Sequence, residues 1–337
     1  HGQTRIIRKA YFEHPDYVPL LKRTYELWAG LEEQRNERLY RQTGLLEIGP
    51  ADGVVVPGVL ASAKQHALDV EELSAADVSR RFPGFQVPED CQAVFEPQSG
   101  YLLVERCVLA HLEEAKRLGA SHRTLETVTS WSAENDHVEV KTDKQTYSAG
   151  RLVIAAGAWA TQLLNDLRIP MRVVRKHLHW FANTNSQYHQ QSGCPTFFCE
   201  MPEGYYYGFP QFDDLGVKVA EHSGGDLVAD PLCVDRTIDV DEQKRVISFL
   251  SKCLPGVSAK PTHHSVCMYT LTQDEHFVLD VHPQFSQVAI CAGLSGHGFK
   301  FTPVLGEILA DLVLLGVTSH PIEFLSCRRS ALQARAI

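Results

Sequence analysis

Two neighbouring stretches, SVCMYT at 265–270 and AGLSGHGFK at 292–300, decide how the rest of the chain is interpreted. Between them lies DEHFVLD at 274–280, so a thiol, a phenol, several glycines and an ammonium group fall within one short segment. Cysteine is among the most frequently buried residue types, so a core cysteine on a strand, followed by a loop and a helix, explains this segment equally well. The remaining chain has to distinguish a structural role from a chemical one.

Length and composition are those of an ordinary globular protein. The chain has 337 residues, enough for two lobes, because single cores tend to split beyond about 250 to 300 residues. Its net charge of -9, from 32 basic and 41 acidic residues, argues against nonspecific binding to nucleic acid. We expect no nucleic-acid partner.

The cysteines and histidines predict neither disulfides nor a metal site. Nine cysteines occur without C-x-x-C spacing, which favours free thiols in a reducing compartment. His263 and His264 are adjacent on a predicted strand, so their imidazoles point to opposite faces. The sequence has no apolar run of the roughly 20 residues that span a bilayer, and its tail, 333–337, is not a peroxisomal S-K-L signal. We therefore expect a cytoplasmic protein without a membrane partner.

Periodicity predicts helices and strands in alternation. A helix is expected from an N-cap at Asp16 to about Arg35, and shorter helices are expected at 57–68, from Ser74 to near Pro83, and from Val104 to Gly119. A hairpin is predicted from 93–95 to 101–103 with its turn at 97–100, and strands are predicted at 127–131, 137–140 and 146–147.

A fully apolar strand is predicted to begin at Arg151 and to break at Ala156 and Gly157 into a helix. The middle of the chain is rich in strand signals at 173–181, 196–198, 205–209 and 217–219, interrupted by one amphipathic helix at 246–254. A strand at 288–291, the glycine segment and a final helix with Val304 to Leu312 on its buried face follow. This order predicts two interleaved lobes.

Charged and glycine residues suggest an anion site. Arg5 and Arg8 lie three apart, and a guanidinium pair can hold a carboxylate by bidentate hydrogen bonds. Gly293, Gly296 and Gly298 allow close approach of the backbone, although this G-x-x-G-x-G does not match the dinucleotide fingerprint. Surface arginines beside a simple loop remain an alternative interpretation of these residues alone.

Several motifs together resemble the monomeric sarcosine oxidase family of flavin-dependent amine oxidases, which includes N-methyltryptophan and pipecolate oxidases. The match extends over nearly the whole chain in number, order and spacing of motifs. The matching segments are HGQTRIIRKAY (1–11), RQTGLLEIGP (41–50), FEPQSGYL (95–102), IAAGAW (154–159), YYGFP (206–210), CMYT (267–270), DEHFVLD (274–280) and GLSGHGFKF (293–301).

The resemblance implies an FAD cofactor bound covalently through a thioether from Cys267, with a structural cysteine as the alternative. Further cofactor contacts are implied for His1, Val128, Ala156, Gly157, Gly293, Gly296, His297 and Gly298. The fold implied is α/β (α+β mixed), resembling D-amino-acid oxidase, with a Rossmann-like FAD-binding domain interleaved with a mixed-sheet substrate domain. We expect the FAD-binding domain at 1–34, 109–170 and 274–337, and the substrate domain at 35–108 and 171–273.

The resemblance also implies a reaction. A secondary amino acid is oxidised to an imine that water hydrolyses, and dioxygen becomes hydrogen peroxide in a monomeric enzyme. Arg8 and Lys300 match the residues that bind the substrate carboxylate, and Lys218 matches the lysine that promotes reaction with oxygen. Arg5, Tyr207, His222 and Tyr269 match residues beside the flavin or the substrate cavity. A dehydrogenase that passes electrons to a carrier is the alternative, and Lys218 argues against it.

The family pattern departs at the N-terminus. Family members have a strand, a G-x-G-x-x-G turn and a helix before the position of His1, and this sequence lacks that unit. We expect a fragment of a complete oxidase and not a remnant that has lost tight FAD binding, because the matched catalytic residues are all present.

Overall fold

The computed structural model describes residues 2–134 and 136–333, and its helices follow the predicted amphipathic segments closely. The described helices are α1 (Tyr17–Arg35), α2 (Val55–His66), α3 (Ala75–Arg81), α4 (Val104–Arg117), α5 (Ala160–Leu163), α6 (Val240–Cys253), α7 (Thr302–Leu315) and α8 (Ser330–Gln333). Every strand of the predicted strand-rich middle region is also found.

The strands form four sheets in the part of the chain that the structure describes. They are β1 (Thr4–Ile7), β2 (Tyr40–Gln42), β3 (Leu45–Pro50), β4 (Glu71–Leu73), β5 (Cys91–Glu96), β6 (Gly100–Leu103), β7 (Val128–Glu134), β8 (His137–Thr142), β9 (Thr146–Ala149), β10 (Leu152–Ile154), β11 (Met171–Phe181), β12 (Thr196–Met201), β13 (Gly204–Phe209), β14 (Val217–Glu221), β15 (Pro261–Thr272), β16 (Val278–Val281) and β17 (Val288–Ala292). The predicted mixed α/β fold class is confirmed.

The largest sheet has eight strands in the order β15-β11-β14-β13-β12-β3-β5-β4. It is mixed, because β12 pairs with β3 in parallel while the other neighbours are antiparallel. Successive side chains on a strand point to opposite faces, and directly paired residues share a face. Cys267 pairs with Lys176 and Lys218 pairs with Trp180. These residues therefore lie on one face, which we call the site face.

The opposite face, which we call the helix face, is covered by α6. Phe249 of α6 stacks on Tyr206 with ring centroids 4.6 Å apart, and Val246 and Leu250 are buried in the same core. The amphipathic spacing predicted for this helix matches the packing. Both faces of the large sheet thus contribute to a hydrophobic core, and the site face, which packs partly against α2, also carries the site residues.

A second layer contains the sheet β10-β17-β16, in which β10 and β17 are parallel. Helix α7 packs on this sheet and on α1 through Leu305, Ile308 and Leu309. Trp28 of α1 donates its indole N–H to the Lys300 carbonyl at 3.0 Å, which ties α1 to the glycine segment. The remaining sheets are β7-β8-β9 and β1-β6-β2.

One sequence prediction of local structure is wrong, and two others are confirmed only in part. The hairpin does not form, because β5 pairs with β3 and β4 whereas β6 pairs with β1 and β2. At the end of β5 the buried carboxylate of Glu96 accepts backbone N–H bonds from Lys9 and Ala10, and the chain passes there to another sheet. Asp16 precedes α1 without capping it through its side chain. Strand β10 is only three residues long, and Val153 is 40% exposed because β10 is an edge strand.

The positions of the two interleaved domains stay a prediction, with the boundaries given above. Among the residues that the structure describes, none of the helices is long and apolar enough to cross a membrane.

The start of α3 provides a test of the local interactions. Ser74 accepts a hydrogen bond from Asp77 N at 3.1 Å, and the Asp77 carboxylate accepts one from Ser74 N, so the two residues form a capping box. We expect Ser74→Ala to lower the free energy of unfolding by about 1 kcal/mol, measured by urea denaturation. Ser121→Ala, in an exposed loop, is the control and should leave stability unchanged. Equal stability of both variants would contradict a role for the cap.

Candidate functional site

A small cavity lies between the site face of the large sheet, the segment after β1 and the glycine segment after β17. Its volume is about 50 Å³. The lining residues are Arg5, Ile6, Arg8, Glu13, Phe198, Tyr207, His222, Tyr269, Gly296, His297, Phe299 and Lys300. We call it the inner cavity. It brings together many of the site residues predicted from the sequence, although the role of each stays a prediction.

Strand alternation and one glycine position explain how these side chains meet. Cys267 and Tyr269 are two residues apart on β15 and therefore share the site face. Gly296 has φ +81°, and a Cβ on it would lie 2.4 Å from the Tyr269 ring. Only glycine lets the loop approach the tyrosine this closely without strain. The predicted close backbone approach thus occurs at Gly296, against a protein side chain.

Arg8 is buried and already paired with two carboxylates. Its Nη1 donates to Glu47 Oε1 at 2.9 Å, and its Nη2 donates to both oxygens of Glu13 at 2.7 Å. Burial would lower the pKa of Arg8, but these carboxylates raise it above its ordinary value. Burial raises the pKa of Glu47 to about 8, and its second oxygen, Oε2, has no hydrogen-bond partner.

Lys300 reaches the same cavity from the short 3₁₀ turn before α7. Its Nζ donates to the His297 carbonyl at 2.8 Å and to Tyr11 Oη at 3.2 Å. Burial, followed by the nearby Arg8 charge, lowers the pKa of Lys300 to about 7. The amine is therefore close to half protonated at neutral pH.

Arg5 is the third cation at the inner cavity. Its Nη1 donates to the carbonyl of Thr4 at 2.9 Å, and no carboxylate within residues 2–134 and 136–333 forms an ion pair with it. Burial would lower the pKa of Arg5, but Cys267, Tyr207 and Tyr269 outweigh it and raise that pKa. Arg5 thus supplies a buried charge that the carboxylate of Glu105 influences without a direct ion pair between the two side chains.

Two phenols and one imidazole form the aromatic wall. Tyr269 Oη lies 3.3 Å from His222 Nδ1. Burial lowers the pKa of His222 to about 3 and raises that of Tyr207 to about 12, and it raises the pKa of Tyr269 well above its ordinary value. All three side chains are therefore uncharged at neutral pH, and the charged groups that line the cavity are Arg5, Arg8, Lys300 and Glu13.

Cys267 lies on the site face beside this wall. Its side chain is only partly buried, and Lys176 is directly opposite it on β11. The Lys176 Nζ donates to the carbonyl of Ser223, and burial lowers its pKa. The thiol is thus accessible and surrounded by basic groups, a setting that differs from those of Cys199 and Cys291, which are fully or almost fully buried.

Lys218 lies behind Arg5 and does not line the inner cavity. Its Nζ donates to the carbonyl of Gly2, and at 3.1 Å to both the carbonyl and Oγ1 of Thr4. Lys218 is only 2% exposed, so it is not a surface lysine. Burial lowers its pKa well below the ordinary value.

A larger space, which we call the outer chamber, adjoins the inner cavity. Its volume is about 380 Å³, and it shares Glu13, Phe198, His222, Tyr269 and His297 with the inner cavity. Phe12, Tyr205 and Leu271 add apolar walls. This chamber leaves space for groups much larger than a carboxylate.

Other predicted cofactor residues lie outside both spaces. Ala156 and Gly157 follow β10, and Gly293 follows β17. Because β10 and β17 are parallel, both turns lie at the carboxyl ends of these strands. Open α/β sheets bind ligands at the carboxyl ends of their strands. A Cβ on Gly157 would meet nothing within 4 Å, so there is open space beside this turn. Val128 lies on β7, in the sheet β7-β8-β9, and is 41% exposed. A Cβ on Gly298 would lie 2.6 Å from the Cβ of Leu294, so the loop packs on its own side chain there. His1 lies outside the described residues.

The residues present fit a flavin. An accessible thiol is available on the site face, Arg5 offers a guanidinium that the described carboxylates leave unpaired, and the turn at Gly157 is open to a ligand backbone or phosphate. Cationic and N–H donors suit an electron-accepting ring whose oxygens and nitrogens gain negative charge on reduction. The inner cavity itself is of a size for the carboxylate end of a substrate.

Sequence reasoning missed Tyr11, Glu13 and Glu47 as site residues. Tyr11 and Glu13 follow the arginine pair directly, so proximity in sequence was an available signal. Glu47 stands alone in the apolar strand LLEIG, and a single acidic residue in such a strand indicates a buried partner.

The helix face carries an unpredicted histidine cluster. His177 Nδ1 lies 2.9 Å from His264 Nε2, and His179 Nε2 lies 2.8 Å from Glu242 Oε2. His263 contacts Trp180 on the site face, so the two adjacent histidines do point to opposite faces. Within the described part of the chain, no group of three or more His, Cys, Asp or Glu has a geometry that would hold a metal ion.

Comparison with known proteins agrees with this geometry. A family model described as FAD dependent oxidoreductase (DAO) matches residues 1–312. A monomeric sarcosine oxidase from Arthrobacter sp. strain TE1826 is 39% identical over 99% of this chain and 87% of its own length. An N-methyl-L-tryptophan oxidase from Salmonella dublin is 36% identical over 95% of this chain and 85% of its own.

Two solved structures have the same fold. NikD, described as an unusual amino acid oxidase essential for nikkomycin biosynthesis, aligns with a TM-score of 0.83 and 27% identity over 97% of this chain and 86% of its own. An L-proline dehydrogenase from P. horikoshii aligns with a TM-score of 0.82 and 21% identity over 95% and 84%, a likeness of fold alone. The predicted fold is confirmed.

Proposed function

The chain belongs to the DAO family of FAD-dependent oxidoreductases, and from this premise we propose that it oxidises small secondary amino acids of the sarcosine type. The C–H bond beside the amine nitrogen loses two electrons and a proton, and the N–H bond loses a second proton. The resulting imine is hydrolysed to an aldehyde and an amine. Dioxygen accepts the two electrons and two protons as hydrogen peroxide. FAD supplies the two-electron oxidation in this scheme.

The observation that carries the proposal is the buried pair of cations in the inner cavity. Arg8 and Lys300 come from opposite ends of the sequence and both line a space of about 50 Å³. In such a low-dielectric space two cations favour an anionic ligand far more strongly than they would in water. A carboxylate held there fixes the orientation of the adjacent C–H bond, which lowers the entropic part of the barrier.

The contacts of Glu13 with Arg8 suggest where the substrate carboxylate would bind. Its carboxylate now accepts both hydrogen bonds that Arg8 Nη2 donates, as a substrate carboxylate would. We propose that the substrate takes over this place, with Lys300 on its other side. The neutral His222 and the two phenols then enclose the uncharged part of the substrate without competing for its charge.

The flavin is proposed to be held by Cys267 through a thioether and to be faced by Arg5. The thiol is partly exposed on the site face, and Cys267 lies close enough to Arg5 to raise the pKa of the guanidinium. Lys218 is proposed as the residue that promotes reduction of dioxygen. The N-methyl-L-tryptophan oxidase relative suggests that larger secondary amino acids are also candidates, and the outer chamber offers the space for them.

The experiment compares substrates with and without a carboxylate. We expect peroxide release with sarcosine, and a kcat/KM that is roughly 100-fold lower for sarcosine methyl ester, because the ester leaves buried cations without a charged partner. N-methyltryptophan and pipecolate, each with its methyl ester, define the size of the substrate. Peroxide is measured by a coupled peroxidase assay in the flavin-loaded protein.

Two results would oppose the proposal. An ester that is oxidised as well as the acid would exclude the cation pair as a carboxylate site. Reduction of the flavin by sarcosine without air, followed by slow reoxidation in air, would instead favour a dehydrogenase that passes electrons to a carrier.

A further inference from the structure

A chain of hydrogen bonds fixes the direction in which the Lys300 amine can take up a proton. His297 Nε2 lies 3.0 Å from the Glu275 carbonyl, and a carbonyl only accepts, so Nε2 carries the hydrogen. Burial holds the pKa of His297 well below its ordinary value, so the ring is neutral and Nδ1 is an acceptor. Tyr11 Oη, 2.6 Å from Nδ1, must therefore donate to it.

This assignment determines what Tyr11 can offer Lys300. Because the phenol hydrogen points to His297, the Tyr11 oxygen is left as an acceptor for Lys300 Nζ at 3.2 Å. The His297 carbonyl, at 2.8 Å, accepts a second N–H of the same amine. Both N–H groups of a neutral Lys300 are thus used by fixed acceptors.

We infer that the third position on the nitrogen is open to the inner cavity. Lys300 lines that cavity, and among the described residues no further acceptor contacts Nζ. A neutral amine would present a lone pair in this direction, and an ammonium would present an N–H. Only the ammonium can donate to a carboxylate that enters the cavity.

We propose that the carboxylate of a substrate binds together with one proton from solvent, which is taken up by the Lys300 amine. Tyr11 and His297 are positioning residues, because they occupy the other two N–H groups and turn the site of protonation towards the ligand. This inference rests on the proposed function, since it assumes that Lys300 meets the substrate carboxylate.

The charged and titratable groups around Lys300 set the pH range. Arg8, after burial, lowers the pKa of Lys300, whereas Glu13 and Glu47 raise it, with a net result of about 7. Tyr11 and His297, the nearest titratable groups, are both neutral at physiological pH. Glu47, with a pKa of about 8, is the other group whose protonation can change in this range.

The sign of the pH dependence follows from linkage. Below pH 7 Lys300 already carries its proton in the free protein, so binding requires no uptake. Above pH 7 the free amine is mostly neutral and binding must be accompanied by protonation. We expect the uptake to rise from near zero at acid pH towards one proton per ligand as the pH passes through the pKa of Lys300, and the affinity to fall roughly tenfold per pH unit above that pKa.

The test uses acetate, which has a carboxylate but no amine that could itself titrate, and acetamide as its neutral control. Calorimetric titrations of the flavin-loaded protein in phosphate and in Tris, which differ in ionisation enthalpy, give the number of protons taken up. Lys300→Met should reduce the uptake to near zero, whereas Lys22→Met, at an exposed position, should not change it. Glu47→Gln should retain the uptake, which assigns it to Lys300.

Tyr11→Phe tests the positioning role. We expect loss of the phenol oxygen to shift the uptake curve to lower pH and to weaken acetate roughly tenfold at pH 7. A merely structural role would weaken acetate equally at every pH. Tyr25→Phe, whose phenol donates to the Gln98 carbonyl at 3.0 Å, is the control. If Tyr11→Phe does not fold, the wild-type uptake curve and the Lys300→Met variant still test whether Lys300 takes up the proton.

The outcomes separate this inference from the proposed function. Acetate binding without proton uptake, or uptake that survives in Lys300→Met, would overturn the inference and leave the oxidase proposal standing. Oxidation of sarcosine without any acetate binding would also overturn the inference and leave the oxidase proposal standing. Absence of both acetate binding and sarcosine oxidation would overturn both.

Discussion

Lys218→Met is expected to slow reoxidation of the reduced flavin by dioxygen by roughly 10²- to 10³-fold, the usual effect of removing one charge-stabilising donor. The physical reason is the position of the ammonium in a site that is 2% exposed, where negative charge on reduced oxygen finds little solvent to stabilise it. Burial also lowers the pKa of Lys218 below its ordinary value, a shift in the direction that favours proton transfer from the lysine.

Stopped-flow mixing measures the two half-reactions separately. Anaerobic reduction by sarcosine should change by less than about threefold in Lys218→Met, because the lysine does not line the inner cavity. Reoxidation of the reduced protein by buffer of known oxygen content gives the second rate. Lys141→Met, on an exposed position of β8, is the matched control.

Stability has to be checked in the same variant. Methionine removes the donor that Lys218 supplies to the Gly2 and Thr4 carbonyls and to the Thr4 hydroxyl, at a cost of about 1 to 3 kcal/mol, although Thr4 N and Arg5 Nη1 still donate to the two carbonyls. Thermal unfolding of the loaded protein shows whether the variant is folded at assay temperature. Unchanged reoxidation in a folded Lys218→Met protein would refute the role of this lysine.

Cys267→Ala is expected to convert the flavin from acid-stable to acid-extractable. A thioether survives denaturation, so trichloroacetic acid should precipitate the flavin with the wild-type protein and leave it in the supernatant of the variant. The accessible thiol on the site face is the reason to expect attachment there and not at the deeply buried Cys199 or Cys291.

The control for this result is Cys233→Ala, which removes an exposed thiol outside the large sheet. Its flavin should remain with the precipitate. Flavin that stays attached to the protein in Cys267→Ala would assign the link to another residue, and extractable flavin in the wild type would exclude a covalent link.

The secondary structure was largely predictable because it depends on local spacing. Helix α6, with Val246 and Leu250 on one face, and the strands of the middle region follow from the periods of 3.6 and 2 residues. The predicted hairpin failed for a non-local reason. Glu96 binds backbone N–H groups of Lys9 and Ala10, nearly ninety residues earlier in the chain, and no local pattern contains that contact.

The site was predictable only through the resemblance of motifs. Arg8 and Lys300 are 292 residues apart in the sequence. The hydrogen bond between Lys300 and Tyr11 joins residues that are 289 apart. Neither spacing nor charge pattern joins residues so distant. The hydrogen bonds of Tyr11 and the burial of Glu47 depend on three-dimensional packing, so their part in the site required the structure.

The two faces of the large sheet limit how its sequence can change in length. On β15, Cys267 and Tyr269 alternate with His264, Val266 and Met268, so neighbouring positions belong to different faces. Deleting or inserting a single residue ahead of Cys267 within the strand would turn its thiol towards α6 and place its neighbours where the cofactor is expected. Length changes are therefore tolerable in the connections between strands and at the irregular pairing beside Trp180, whereas the segment of β15 around Cys267 and Tyr269 can vary only by substitution.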